Sequence, residues 1–293
     1  MSPAASSPDG GGDSSAGGGP GGGGPGGGWR PAGVEPAEFP ILEFDPDPVA
    51  LIEPSALYGS GRDNSVEMPQ RAVGCFFGDV VDHVADQHNA RLVVDLTSEH
   101  GRHSVWELEV DGQRIAFFQP GVGAPLAAFF FEEMIAYGVR AAIACGGAGV
   151  LVPEMQMGHT VVVTAALRDE GTSYHYLPPS RRVEADTEVV LKLTDLLEQE
   201  GLPYSAGLTW TTDAPYRETQ QLVAARRSEG CLTVEMEAAA LIAVAKWRGI
   251  RFGHLLYAAD SLGGIEWEHR GWTTASEVRE RLFWLAVRAC LAL

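Results

Sequence analysis

From about residue 40 onward, short apolar runs that stop at glycine or aspartate alternate with longer stretches of helical period. This alternation constrains the fold more than any other feature of the chain. A strand that is apolar along its whole length must be covered on both faces, and helices packed on either side of a sheet provide that cover. The strand candidates are 72–77, 91–96, 105–110, 114–118, 141–145, 160–165, 204–211 and 252–258. The helix candidates are 80–87, 126–137, 187–199, 234–247 and 275–291. Gly138, Gly201 and Gly249 stand where helices stop. Asp111-Gly112 is a strong signal for a tight hairpin between two of the strands. The expected class is therefore α/β, in one domain over 37–293 without internal repeats.

Residues 1–36 are of another kind. They are rich in glycine and have no apolar period, so nothing offsets the entropy of ordering them, and a flexible tail is expected. The start of the chain has neither the basic stretch nor the apolar core of a secretory leader. No run reaches the roughly 18 uncharged apolar residues that a membrane span needs. A cytoplasmic protein without a membrane partner is the expectation.

Composition narrows the function. Hydrophobic residues make up 45%, enough for a sizeable core, which excludes a wholly disordered chain. Asp plus Glu number 39 against 21 Lys plus Arg, a formal charge of −18. Nucleic-acid affinity depends on clustered cations, so that partner is not expected, although a local anion pocket is still allowed. The four cysteines, Cys75, Cys145, Cys231 and Cys290, are far apart among apolar neighbours. That spacing suggests buried free thiols and neither a metal site nor a disulfide framework.

Several segments carry chemistry. Gly121-Val122-Gly123-Ala124-Pro125 joins a strand to a helix; its glycines serve either a tight turn or the approach of backbone to an anion. It lacks the third glycine of a dinucleotide fingerprint, so no nucleotide cofactor is expected. A second glycine-rich strand end, 144–149, suggests a crevice at the carboxyl edge of the sheet. In Glu235-Met236-Glu237 two acids open an apolar helix. They read either as a capping pair favoured by the helix dipole or as a carboxylate for vicinal sugar hydroxyls beside a methionine. Asp260 follows a buried strand and is either a proton donor to a ligand or the opening of a loop. Residues 209–218 gather hydroxyls, Tyr216 and Arg217, either for a planar base or as a polar surface loop.

Together these pieces resemble the nucleoside phosphorylase superfamily, which includes uridine phosphorylases, purine nucleoside phosphorylases and related nucleosidases. The matching segments are GVGAP (121–125), GGAG (146–149), EGTSYHYLPP (170–179), TWTTDAPYRET (209–219), VEMEAAAL (234–241) and AADSLGG (258–264), in family order over about 71–291. VEMEAAAL is the most specific of them. The resemblance implies a three-layer α/β/α sandwich around a mixed, partly barrel-like sheet, assembled as a dimer or trimer of dimers. It implies cleavage of the N-glycosidic bond of a nucleoside, by phosphorolysis to free base and ribose 1-phosphate, with phosphate as co-substrate. Glu237 would bind the ribose hydroxyls and Met236 would pack on the sugar. Glu235, Tyr216, Arg217, Ala148 and Gly149 would surround the base. Asp260 matches the acid that protonates a departing purine, and uridine phosphorylases generally lack it.

The phosphate side departs from the family pattern. The family's early loop, GDPxR, looks like Gly78-Asp79-Val80-Val81-Asp82 here, so an acid takes the place of arginine. Ala144 and Gly147 stand where the family has a further arginine and a threonine. Arg102 lies near the position of an arginine supplied by a neighbouring subunit. Each charge-assisted hydrogen bond lost in this way is worth roughly 1.5–3 kcal/mol. The hydrolytic branch of the family carries a glutamate in the early loop to orient water, and Asp82, or as second choice Asp79, would stand in for it. Asp82 reads equally as an exposed helix residue. Hydrolysis and a non-catalytic nucleoside-binding role are thus the alternatives.

Overall fold

The computed structural model describes residues 37–55 and 66–293, so the expected tail over 1–36 lies outside the described residues. β1 (Arg71–Cys75) leads into α1 (Gly78–Gln87), and β2 (Arg91–Ser98), β3 (Gly101–Val110) and β4 (Gln113–Phe118) follow as an antiparallel run. Asp111 and Gly112 take positive φ, 51° and 74°, between the paired residues Val110 and Gln113, as a two-residue hairpin turn requires. α2 (Ala124–Tyr137) stops at Gly138 in the left-handed region. Then come β5 (Ala141–Val150), β6 (Thr160–Asp169), β7 (Arg182–Glu184), α3 (Thr187–Gln199), β8 (Tyr204–Thr212), α4 (Gln220–Ser228), β9 (Cys231–Glu235), α5 (Ala238–Arg248), β10 (Arg251–Ser261) and α6 (Ser276–Leu291).

Among the described residues ten strands form one mixed sheet. β5 is its hub. It runs parallel to β1 on one side and to β10 on the other, with Cys75, Cys145 and Leu255 in register, and its far end pairs with β9. The path β10-β6-β8-β9-β5 returns to β10, and β1-β4-β3-β2 extends from β5 as a wing. The sheet is therefore partly barrel-like but not a clean barrel. Helices α2 and α5 pack on one face around Phe130, Met134 and Leu241. Helices α1, α3 and α6 pack on the other around Val84, Leu193 and Phe283. This is the three-layer α/β/α arrangement expected from the sequence. Because β1, β5 and β10 are parallel, their carboxyl ends share one edge, the usual place for a ligand crevice.

One helix expectation needs correction. The span 234–247 does not form a single helix: Cys231–Glu235 is strand β9, and α5 begins only at Ala238. Thr233 and Val234 are β-branched and pair on both sides, with β8 and β5. Tertiary pairing thus outweighs the helical pattern up to Glu235. α4 and β7 were not foreseen. All four cysteines are free and buried. Among the described residues no helix is long and apolar enough to cross a membrane.

Candidate active site

At the shared strand edge lies a cavity of about 330 Å³. Its glycine-lined wall comes from the end of β5. A Cβ on Gly146 would sit 3.1 Å from the Phe76 ring, and one on Gly147 would sit 3.1 Å from the Tyr257 ring. At Gly149 it would collide with Leu262 at 2.5 Å. Side chains from three other segments already press on β5, so the run of glycines leaves room that any larger residue would fill.

The opposite wall is the entrance to α5. Thr211 on β8 sits in register with Glu235 on β9. Its hydroxyl donates to Glu235 Oε1 at 2.6 Å. Glu235 Oε2 accepts the N–H groups of Glu237 and Ala238 at 2.7 and 2.6 Å, and Thr211 Oγ1 accepts that of Ala239 at 3.0 Å. The orphan donors that open α5 are therefore met by a carboxylate placed just ahead of it. Burial pushes the Glu235 carboxyl up, while its three donors pull the other way.

Glu237 occupies the N-cap position, but its side chain caps nothing in its own helix. Its Oε1 accepts the N–H of Gly123 at 2.6 Å, from the loop that opens α2. That loop needs both of its glycines. Gly121 and Gly123 take φ of 81° and 94°, and a Cβ on Gly121 would lie 2.4 Å from Leu126. The tight turn and the backbone approach to an anion, left as alternatives by the sequence, are thus one feature: the turn aims an amide at Glu237. Burial, and then the charge of Glu235, push Glu237 upward.

Asp260 closes the third side, near the end of β10. Ser261 and Glu268 exchange backbone hydrogen bonds at 2.9 Å in both directions. That bridge brings Trp267 back over the strand end, where its indole N–H donates to Asp260 Oδ2 at 2.6 Å. Asp260 Oδ1 lies beside Gly149. Glu218 lines the same part of the cavity, and burial followed by the charge of Asp260 pushes it up to about 7.

His254, Tyr257 and Arg279 also line the cavity. Arg279 is a fork on Asp79 at 2.9 and 2.7 Å, and its guanidinium lies over Phe77 at 4.6 Å. His254 is 1% exposed; both of its ring nitrogens are buried without a partner, and burial drives it down to about 3. The imidazole is thus kept neutral, with both nitrogens enclosed behind the cavity wall.

Of the residues expected from the sequence, Gly147, Ala148, Gly149, Glu235, Met236, Glu237 and Asp260 line this one cavity. Gly78, Asp82, Arg102, Tyr216 and Arg217 do not. Asp82 lies on the outward side of α1, because Val80, Val81, Val84 and Ala85 take the buried side. Asp82 therefore does not border this cavity. Arg102 is exposed on β3, 3.7 Å from Asp95. Tyr216 and Arg217 are turned outward by the short 3-10 turn Pro215–Arg217, while their neighbours Pro215 and Glu218 line the cavity. Gly78 begins α1, where an added Cβ would meet the Gln119 side chain at 3.9 Å. Sequence reasoning missed Glu218, His254, Trp267 and Arg279. Glu218 stood within a segment already singled out; the other three had no local signal.

Comparison with known proteins places the chain in a family. The family model described as the phosphorylase superfamily matches residues 70–290. A guanosine phosphorylase of Halorubrum lacusprofundi is 30% identical over 59% of this chain and 70% of its own length. A DeoD-type purine nucleoside phosphorylase of Myxococcus xanthus is 30% identical over 64% of this chain and 82% of its own. Among solved structures, an AMP nucleosidase from Bacteroides thetaiotaomicron shares the fold with a TM-score of 0.66 at 20% identity, over 82% of this chain and 97% of that one.

Proposed function

This chain belongs to the phosphorylase superfamily, and from that premise we propose that it cleaves the N-glycosidic bond of a purine nucleoside, with phosphate as acceptor. One observation carries the reading: Glu237, from the entrance to α5, and Asp260, from the end of β10, line a single cavity. Glu237 accepts hydrogen bonds from the sugar hydroxyls, and Met236 packs on the sugar. The electron pair of the C1′–N bond leaves with the base, whose ring nitrogen takes a proton from Asp260. A phosphate oxygen bonds to C1′, giving ribose 1-phosphate. Ala148 and Gly149 flank the base, and Glu235 holds the α5 entrance in shape. The relatives carry both purine and uridine names, guanosine phosphorylase and purine nucleoside phosphorylase beside uridine phosphorylase, so it is Asp260 on the cavity that supports a purine leaving group. The proposed assembly is a cytoplasmic homo-oligomer, a dimer or trimer of dimers, and a monomer in sedimentation would overturn that part.

A second reading has water as the acceptor, and a specific observation favours it. Among the described residues four carboxyl groups line the cavity, those of Glu218, Glu235, Glu237 and Asp260, against one guanidinium, and Arg279 is already paired with Asp79. A phosphate dianion gains little from such surroundings. The test is to incubate the purified chain with guanosine, inosine, adenosine and uridine, with and without phosphate, and to follow free base and ribose 1-phosphate. Purine release that requires phosphate is the expected result, and release without phosphate selects water. Binding without release, or release from uridine alone, would overturn the proposal.

A further inference from the structure

Among the described residues the cavity is lined by one guanidinium, that of Arg279. It stands on α6, outside the six segments that match the family. Two rings and a glycine form its seat. The guanidinium carbon lies 4.6 Å over the Phe77 ring, and the ring centroids of Phe77 and Tyr257 are 5.7 Å apart. Tyr257 in turn fills the space beside Gly147, where an added Cβ would come within 3.1 Å of its ring. A chain of contacts therefore runs from the glycine-lined wall to Arg279, and all four residues border the same cavity.

The partner of Arg279 is easily removed. Asp79 takes the guanidinium as a fork, at 2.9 and 2.7 Å. The Asp79 side chain is 58% exposed and that of Arg279 is 13% exposed, so the cation is the enclosed member of the pair. An ion pair with one member in water contributes little. Asp79 also lies in the first turn of α1, where the helix dipole favours a carboxylate with or without Arg279. Arg279 is less well provided for. Its Nε is buried without an acceptor, so Asp79 leaves the donors of the guanidinium incompletely used. A planar cation held on an aromatic face, paired with a detachable acid and short of acceptors, suits a tetrahedral oxyanion. Such an anion brings more charge and more acceptor oxygens than one carboxylate.

We propose that Arg279 is the residue that holds the acceptor phosphate, and that Asp79 is the partner which phosphate displaces from it. The inference rests on the nucleoside-cleaving reading above and supplies the acceptor-binding residue that reading lacks. Exchanging one anion for another keeps the enclosed guanidinium neutralised throughout, so the cation is never left bare. It also answers the acid-lined cavity. A free dianion is repelled by the four carboxyl groups, whereas one paired with Arg279 carries its compensating charge with it. As the C1′–N bond breaks, its electron pair goes to the base and a phosphate oxygen bonds to C1′. The guanidinium stays with the remaining phosphate oxygens, and release of ribose 1-phosphate returns Arg279 to Asp79. The phosphate group of a nucleoside 5′-monophosphate has the same chemistry and is the competing source.

The experiment measures KM for phosphate and KM for guanosine separately. Arg279→Gln should raise the KM for phosphate about tenfold or more and leave that for guanosine within about twofold. Arg279→Lys keeps the charge without the fork and should recover part of the loss. Asp79→Asn should act in the opposite direction and lower the KM for phosphate about threefold, because the acid no longer competes. Arg288→Gln removes the same charge from α6 where Arg288 pairs with Glu200, away from the cavity, and should change neither value. A purely structural ion pair is weakened alike from either side and cannot give opposite signs. A common rise of both KM values in Arg279→Gln, or a rise for phosphate in Asp79→Asn, would therefore overturn the proposal. If Arg279→Gln does not fold, Asp79→Asn decides alone. With GMP in place of guanosine, a loss in KM for GMP while that for free phosphate holds would overturn the acceptor assignment. Calorimetric titration of phosphate into the parent keeps the two failures apart. A parent that releases no base overturns the wider reading, while phosphate binding that disappears in Arg279→Gln would still support this one. A parent that releases base but binds no phosphate overturns this one alone.

Discussion

The cavity has two acidic walls built on different plans. At the α5 entrance, Glu235 has a donor on each oxygen, from Thr211, Glu237 and Ala238, and Glu237 holds an amide from a loop 114 residues away. At the β10 exit, Asp260 has one side-chain donor, and Trp267, which supplies it, is 59% exposed on a loop. The first wall is part of the scaffold, because its carboxylates satisfy buried backbone groups that would otherwise be unpaired. The second is adjustable, because its carboxyl is held by a single donor on an exposed loop. Loss at the first wall should therefore register as lost stability, and loss at the second as lost rate.

The largest effect expected is at Glu235. Glu235→Ala strands two amides and a hydroxyl in a buried place, and should cost on the order of 3 kcal/mol in urea unfolding. An unfolding midpoint within experimental error of the parent would break the distinction between the walls. Asp260→Asn is the counterpart. It should reduce kcat on guanosine about a hundredfold, roughly 2.7 kcal/mol of barrier, with the melting temperature unchanged. If melting falls instead while turnover holds, Asp260 belongs to the scaffold after all.

His254 sharpens the comparison, since it belongs to neither plan. Burial holds its pKa at about 3, against 6.5 in the unfolded chain. The folded protein therefore binds fewer protons than the unfolded one between those values. The stability His254 contributes is fully present above about pH 6.5 and is lost as the pH falls toward 3. At about 1.4 kcal/mol per pH unit, the loss approaches 2 kcal/mol by pH 5. His254→Leu should flatten the acid side of the unfolding profile by about that amount, and a profile superimposable on the parent's would show that the imidazole is hydrated in the folded state.

The difference between the walls also explains what could be read from the sequence. The α/β alternation, the Asp111-Gly112 hairpin and the stop at Gly138 are local patterns, and the structure has them. GVGAP and VEMEAAAL could each be recognised, but the contact that joins Gly123 to Glu237 could not, because nothing local records a pairing across 114 residues. Asp79 and Arg279 are 200 residues apart and carry no shared pattern at all. In the segment 209–219 the conspicuous side chains were Tyr216 and Arg217, yet the turn at Pro215 exposes them and leaves Glu218 on the cavity. Asp82 fell outside because the apolar period of α1 fixes its buried side, a period legible in Val80, Val81, Val84 and Ala85.

The smallest effect expected is at the sugar, and it tests whether the scaffold wall also reads substrate. Glu237 is buried and hydrogen-bonded, which a purely structural carboxylate would also be. A role at the sugar adds something that a structural role does not: dependence on the hydroxyl groups of the ligand. Removing one hydrogen bond at this buried carboxyl costs about 1.5 kcal/mol, roughly tenfold. The parent protein should therefore favour guanosine over 2′-deoxyguanosine by about tenfold in kcat/KM. Glu237→Gln retains an acceptor oxygen beside Gly123 and replaces the other with a donor, so it should erase most of that preference while lowering both rates. If the variant slows both nucleosides and the tenfold ratio persists, the hydroxyl is read elsewhere. Glu237 would then join Glu235 as scaffold, and the division between the walls would be complete.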